Sequence, residues 1–259
     1  MKKNFPYFIV KNSPWPIIIS FNLINLLVRI IIWINNKSVL IIFLIFVNLC
    51  ATKIVWNRDI VRESTFIGNH TLIVTNIFKF RIIIFILSEL FFFISFFWTF
   101  FHRSISPSVE INITWPPKII KVFNYSEIPL LNTFTLVTSG FFVTLSHHYL
   151  IKNSIKSRIK MLTYTIVIGL YFSVVQLVEY KDSYFCFNDR IYGSIFFLST
   201  GFHGIHVVVG TIMLTVSVFR IRSIHFSIIH NINYELSVWY WHFVDVIWLF
   251  LYIFYYVII

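Results

Sequence analysis

Seven apolar stretches of about 20 residues divide this chain of 259, and about 20 residues is the length a helix needs to cross a hydrocarbon core ~30 Å thick. They run roughly over 16–34, 38–56, 80–103, 129–149, 160–180, 191–219 and 236–259. Inside lipid no water is at hand for backbone N–H and C=O groups, so each stretch must satisfy its own by folding as a helix. The expected fold is therefore all-α: a polytopic integral membrane protein with seven transmembrane helices. The third and sixth stretches exceed the minimum length, so those helices tilt or project beyond the bilayer. No Gly/Ser-rich or Pro-rich linker interrupts the chain. The longest connections, 57–79 and 104–128, are too short to be domains, so residues 1–259 read as a single integral membrane domain.

Composition supports this. Only 12% of residues are charged, against 58% hydrophobic, and the mean hydropathy is +0.81; a soluble domain of this size needs about a quarter charged to dress its surface. The formal charge of +11 does not mark a nucleic-acid binder, because the basic residues are scattered through the short segments between apolar runs rather than gathered on one face. Cys50 and Cys186 stand alone, with neither a disulfide framework nor zinc-ligand spacing. The excess of Ile and Phe over a single alanine, Ala51, fits an AT-biased gene such as an organelle's. Lys2, Lys3 and Lys11 precede an apolar run as in a signal peptide, but no small-residue cleavage site follows, and the segment reads as a retained first helix.

Counting charge by side fixes the orientation. With seven spans, the N-terminus and the segments 57–81, 150–160 and 220–234 share one face and hold thirteen Lys and Arg, whereas the other face holds six: Lys37, Arg103, Lys118, Lys121, Lys181 and Arg190. The positive-inside rule places the N-terminus on the synthesis side and the C-terminus across the membrane.

Ionisable groups within spans are costly and are functional candidates by default. Glu89 is the only acid of Phe80–Phe101, with Phe85, Ile86, Phe92 and Phe93 as its helical neighbours. Two roles stay open for it: exchanging protons or binding a cation, and donating a hydrogen bond across a helix interface. In the sixth span Gly193, Gly201 and Gly204 form a stripe suited to close helix contact, with His203 and His206 on another face. Their i, i+3 spacing does not supply bis-histidine haem ligation, so they read as polar groups at a helix interface. In the seventh span Trp241, Asp245 and Trp248 share a face, with His242 one turn before Asp245. The His242–Asp245 pair is either a proton relay or a fixed hydrogen bond that seats one helix on another. At the water edge of the second span, Arg58 and Arg62 are four residues apart, so on a continuing helix their guanidiniums face one way and suit a phosphate such as a lipid headgroup. A solvated charge run is the alternative there.

The chain resembles the cytochrome c oxidase subunit III family, on uncommon strings in the family's order. They are Trp56–Thr65 (WNRDIVREST), Ser88–Trp98 (SELFFFISFFW), Trp115-Pro116-Pro117, Pro129–Thr133, His147-His148, Gly169–Phe172, Glu179-Tyr180, Ile191–Ser194, Thr200–Val207 (TGFHGIHV) and Trp239–Tyr252 (WYWHFVDVIWLFLY). The resemblance implies seven helices split into a bundle of two (about 16–56) and a bundle of five (about 80–259), with a cleft that holds phospholipids: phosphatidylglycerol, phosphatidylethanolamine or cardiolipin. It implies that Glu89 is the family's intramembrane carboxylate, and that Arg58, Arg62, Glu63, His70, Arg220 and His230 contact lipid headgroups. Asn57 and Asn69-His70 depart from the tryptophan and paired histidines usual in the family.

The resemblance further implies a role in respiratory complex IV, which oxidises cytochrome c, reduces dioxygen and translocates protons. No catalytic residue, metal or redox centre is expected in this chain; haem a and copper belong to partner subunits. The expected partners are subunit I as main contact, subunit II and accessory subunits. The expected location is the mitochondrial inner membrane, with the N-terminus in the matrix and the C-terminus in the intermembrane space. The competing readings are a proton channel or small-solute transporter lined by Glu89, Glu179 and Asp245, which predicts inverted repeats, and a b-type cytochrome, which predicts paired ligand histidines on two helices.

Overall fold

The computed structural model describes residues 12–36, 39–107, 113–118, 120–227 and 230–259. Lys2, Lys3, Lys11 and Lys37 of the charge count lie outside them. The described residues form seven helices: α1 (Trp15–Asn36), α2 (Val39–Thr65), α3 (Leu72–Ile105), α4 (Ile128–Ile151), α5 (Ile155–Lys181), α6 (Arg190–Arg222) and α7 (Ile232–Tyr252), the last continued by a π-helical turn, Ile253–Val257. All seven are long and apolar enough to cross a membrane. At ~1.5 Å per residue, α3 with 34 residues and α6 with 33 reach about 50 Å, well beyond a ~30 Å core.

The expected connection 57–79 is largely helical instead. Trp56–Thr65 continues α2, Leu72 already opens α3, and only 66–71 join them. The charges of Arg58, Asp59, Arg62 and Glu63 weaken the hydropathy signal but not the helix, because good helix formers at the water edge keep their backbone bonds.

The chain divides into two compact units, 1–78 and 79–259. In the first, α1 and α2 pair as an antiparallel hairpin fastened by polar contacts at matched heights. Trp15 Nε1 donates to Asp59 Oδ2 at 2.8 Å, and Asn48 Nδ2 donates to Asn22 Oδ1 at 3.2 Å. Between these ties the apolar side chains of both helices, among them Phe21, Leu27, Ile34, Phe43 and Ile54, are exposed. Within a bilayer that surface meets lipid tails, at no hydrophobic cost.

In the second unit α4, α5, α6 and α7 pack each on the next, and α7 closes back on α4. The centre is Trp241, fully buried. Its Nε1 donates to Ser139 Oγ of α4 at 3.0 Å, while Gly169 of α5 and Gly210 of α6 lie so close to its ring that a Cβ there would stand 2.6 Å and 2.8 Å from ring carbons. The α4–α7 seam repeats this tie every two turns. Tyr234 Oη donates to Ser146 Oγ at 2.9 Å, and Trp248 Nε1 donates to Thr133 Oγ1 at 3.0 Å. Donors at 234, 241 and 248 are seven residues apart, and their acceptors at 146, 139 and 133 descend in step, which is what two antiparallel helices with aligned seams require. Hydrogen bonds of this kind hold membrane helices together where the hydrophobic effect cannot. Helix α3 joins through rings, with Phe92 at 4.9 Å from Phe202, Phe93 at 6.4 Å from Phe243 and Phe97 at 5.2 Å from Phe254.

Among the described residues Gly193, Gly201 and Gly204 do not form a contact stripe. A Cβ on Gly201 or Gly204 would meet nothing within 4 Å, and Gly193 lies against the Cys186 carbonyl. Close approach occurs instead at Gly140, Gly169 and Gly210.

Candidate functional site

Two polar groups of unit 2 stand at mid-span. Glu89 is 17 residues from the start of α3 and 16 from its end, and His206 is 16 residues from either end of α6. The structure brings these two together: His206 Nε2 lies 3.0 Å from Glu89 Oε2, with 11% and 24% of the two side chains exposed. Phe93, Tyr240 and Phe243 surround the imidazole at ring distances of 5.3, 6.3 and 6.4 Å.

Hydrogen-bond valence narrows the arrangements open to this pair. His206 Nδ1 lies 2.6 Å from the Phe202 carbonyl oxygen, which can only accept, so Nδ1 carries a hydrogen. Across the 3.0 Å contact there are then two arrangements: an imidazolium donating to a carboxylate, or a neutral imidazole accepting from a carboxylic acid. In both, Glu89 and His206 share one proton, which can sit on either partner. The pair links α3 to α6 across 117 residues of sequence, and periodicity on either helix alone gives no sign of it.

His203, one turn away on α6, is buried and separate. Its Nε2 lies 3.2 Å from the Val244 carbonyl oxygen of α7, and its ring packs 5.6 Å from Phe172 and 5.1 Å from Trp248. Asp245 faces α4 alongside Trp241 and Trp248, pressed against Gly140; His242 Nδ1 stands 3.8 Å from its Oδ2, too far for a hydrogen bond in this geometry.

The headgroup candidates fall on both units. In the first, the exposed Arg58 guanidinium turns to Asp59 at 3.1 Å rather than outward in step with Arg62. Arg62 is exposed on the last turn of α2. The Glu63 carbonyl accepts from Asn69 N at 3.2 Å, and the His70 ring lies 5.0 Å from Phe78. In the second, Arg220 ends α6 with its guanidinium 4.4 Å over the Phe226 ring, its buried Nε without a hydrogen-bond partner, and His230 N donates to Ser227 Oγ at 2.9 Å. Nearby in the same unit Lys79 and Glu235 form an ion pair at 2.7 Å. Sequence reasoning named Glu179 only in the channel reading and Asp59 only within its charged segment, and foresaw neither the tie of Trp15 to Asp59 nor that of Tyr256 Oη to the buried Glu179 at 2.7 Å. Among the described residues no three His, Cys, Asp or Glu side chains gather in a metal-holding group.

Comparison with known proteins agrees over nearly the whole chain. The family model described as cytochrome c oxidase subunit III matches residues 5–258. Among curated relatives named cytochrome c oxidase subunit 3, that of Rhipicephalus sanguineus is 47% identical over 251 residues, covering 97% of this chain and 98% of the relative. That of Aedes aegypti is 45% identical, covering 96% and 95%, and that of Paracentrotus lividus is 44% identical, covering 98% and 97%.

Proposed function

The chain belongs to the cytochrome c oxidase subunit III family, and from that membership we propose that it is the subunit of the oxidase that carries no redox centre and supports the one that does. Its residues act as a single integral membrane domain of the mitochondrial inner membrane, with the N-terminus in the matrix. It packs against subunit I, with subunit II and accessory subunits nearby, and keeps the catalytic subunit intact while electrons pass from cytochrome c to dioxygen. Haem a and copper stay in the partners.

The observation that carries the functional reading is the Glu89–His206 contact at 3.0 Å. A carboxyl and an imidazole sharing one proton form a pair that is neutral overall whichever partner carries it, and a mid-span site where a proton can change partners suits assistance to proton uptake. The headgroup reading is supported by the exposed guanidinium of Arg62 and by Arg220, whose Nε has no acceptor among the described residues. With Arg58, Glu63, His70 and His230 they would hold phosphatidylglycerol, phosphatidylethanolamine or cardiolipin.

Glu89→Gln in the assembled oxidase tests the proton role. The variant keeps the shape and a hydrogen bond but cannot exchange the shared proton. Initial electron transfer should stay near the parent rate while protons translocated per electron fall; unchanged stoichiometry would leave Glu89 with a structural role only.

A further inference from the structure

Helix α1 carries an arginine inside its span. Arg29 lies seven residues before the end of Trp15–Asn36, about 10 Å from it at ~1.5 Å per residue, and it is exposed. Asn25, one turn earlier on the same face, is exposed as well.

The register of the hairpin shows that α2 does not serve this position. Trp15, Asn22 and Arg29 stand seven residues apart, so they fall within about 40° of one another on α1. The first two are met in step by α2. Trp15 donates to Asp59 at 2.8 Å, and Asn22 Nδ2 donates to Thr52 Oγ1, seven residues earlier than Asp59, at 3.5 Å. One further step of seven brings Arg29 level with Ile45, at the end of Ile41-Ile42-Phe43-Leu44-Ile45, whose side chains hold no acceptor. Asp59 stays level with Trp15, about 21 Å along the helix from Arg29. Among the described residues no acid forms an ion pair with Arg29. The acids within the spans of unit 2 are engaged there: Glu89 with His206, Glu179 with Tyr256, Glu235 with Lys79, and Asp245 against α4.

A guanidinium at this depth is costly in hydrocarbon, and such groups either pair with an opposite charge or snorkel to the water edge. Helix geometry works against snorkelling here. Cα–Cβ bonds tilt toward the helix N-terminus, which directs the Arg29 side chain away from the near edge at Asn35-Asn36 and back over Asn25. The result is a lipid-facing patch of five guanidinium N–H donors beside an amide, complementary to a carboxylate at the same depth.

We propose that the face of α1 carrying Asn25 and Arg29 is an interface for a transmembrane helix of another subunit, one that presents an Asp or Glu side chain level with Arg29. The pair neutralises both charges within the bilayer and sets the height of the partner helix against α1. This inference rests on the chain's place in a multi-subunit complex and is independent of the proton role of Glu89.

The test is a cryo-electron microscopy map of the intact native complex that contains this chain. The expected result is a carboxylate of another subunit within about 4 Å of the Arg29 guanidinium. A lipid phosphate on the guanidinium, an acid from residues 79–259 of this chain, or acyl chains alone around it would each overturn the proposal. In the Arg29→Met complex, retention of the partner helix through detergent purification should fall at least about tenfold, while Arg29→Lys keeps most of it; equal retention by Arg29→Met would also overturn it. The haem a and copper content of the parent preparation reports separately on membership of the oxidase, so failure of that reading is told apart from failure of this one.

Discussion

Gly169→Ala puts a methyl carbon 2.6 Å from Cη2 of Trp241 and 3.0 Å from Cγ2 of Thr211. Neither neighbour can retreat: the Trp241 ring is fully buried, held by Ser139 at its nitrogen and by Gly210 on the far edge. Overpacking of this kind costs about 1–3 kcal/mol, while Ala in place of Gly favours the helix by roughly 1 kcal/mol. The net expectation is a loss of about 0–2 kcal/mol. In a Trp241→Phe background the outer ring carbons Cζ2 and Cη2 are gone, the clash with the ring disappears, the 3.0 Å approach to Thr211 is the same in both backgrounds, and Gly169→Ala should become stabilising by up to ~1 kcal/mol. The coupling between the two substitutions is therefore about 1–3 kcal/mol, measurable as a double-mutant cycle on the thermal unfolding of the purified protein in detergent. Gly201→Ala is the control, since its methyl meets nothing within 4 Å. Zero coupling, or equal damage from Gly201→Ala, would refute the packing argument.

Ser139→Ala strands the buried Trp241 N–H and should cost about 1–3 kcal/mol, whereas Ser139→Thr keeps an acceptor and should cost less, as unfolding of each variant would read. Asp59→Asn leaves Trp15 an acceptor and should be mild; Asp59→Leu removes it and should loosen α1 from α2 by about 1 kcal/mol, seen as faster proteolysis in that hairpin. Lys79→Met should change stability by less than about 1 kcal/mol, because the partly exposed pair with Glu235 is screened by water; a larger, salt-insensitive loss would mean that it is buried in the assembly.

The spans were legible because twenty apolar residues admit one solution in lipid, and because the excess of charge on one side orients them. The limits of α2 were not. Hydropathy falls at Trp56–Thr65 although the backbone keeps its helical bonds, so a scale of transfer energies reads a helix end where only the environment changes. Partnerships were invisible for a different reason. Glu89 and His206 were each picked out as costly polar groups, but their contact depends on the register of α3 against α6, which bulky phenylalanines set rather than any local spacing. The glycines make the same point: Gly201 and Gly204 share a face yet stand open, while Gly169 and Gly210, on different helices, both exist to admit one tryptophan. Glu179 drew little notice because its partners, Asn132 and Tyr256, come from helices 47 and 77 residues away.

Native purification through this chain under gentle detergent, with an optical spectrum and haem a and copper quantification, tests membership of a working oxidase most directly. The account predicts haem a, copper and the larger catalytic subunits in the same complex, and oxidation of ferrocytochrome c by it. A chain that purified alone, free of metal and moving protons or solutes when placed in liposomes, would contradict it.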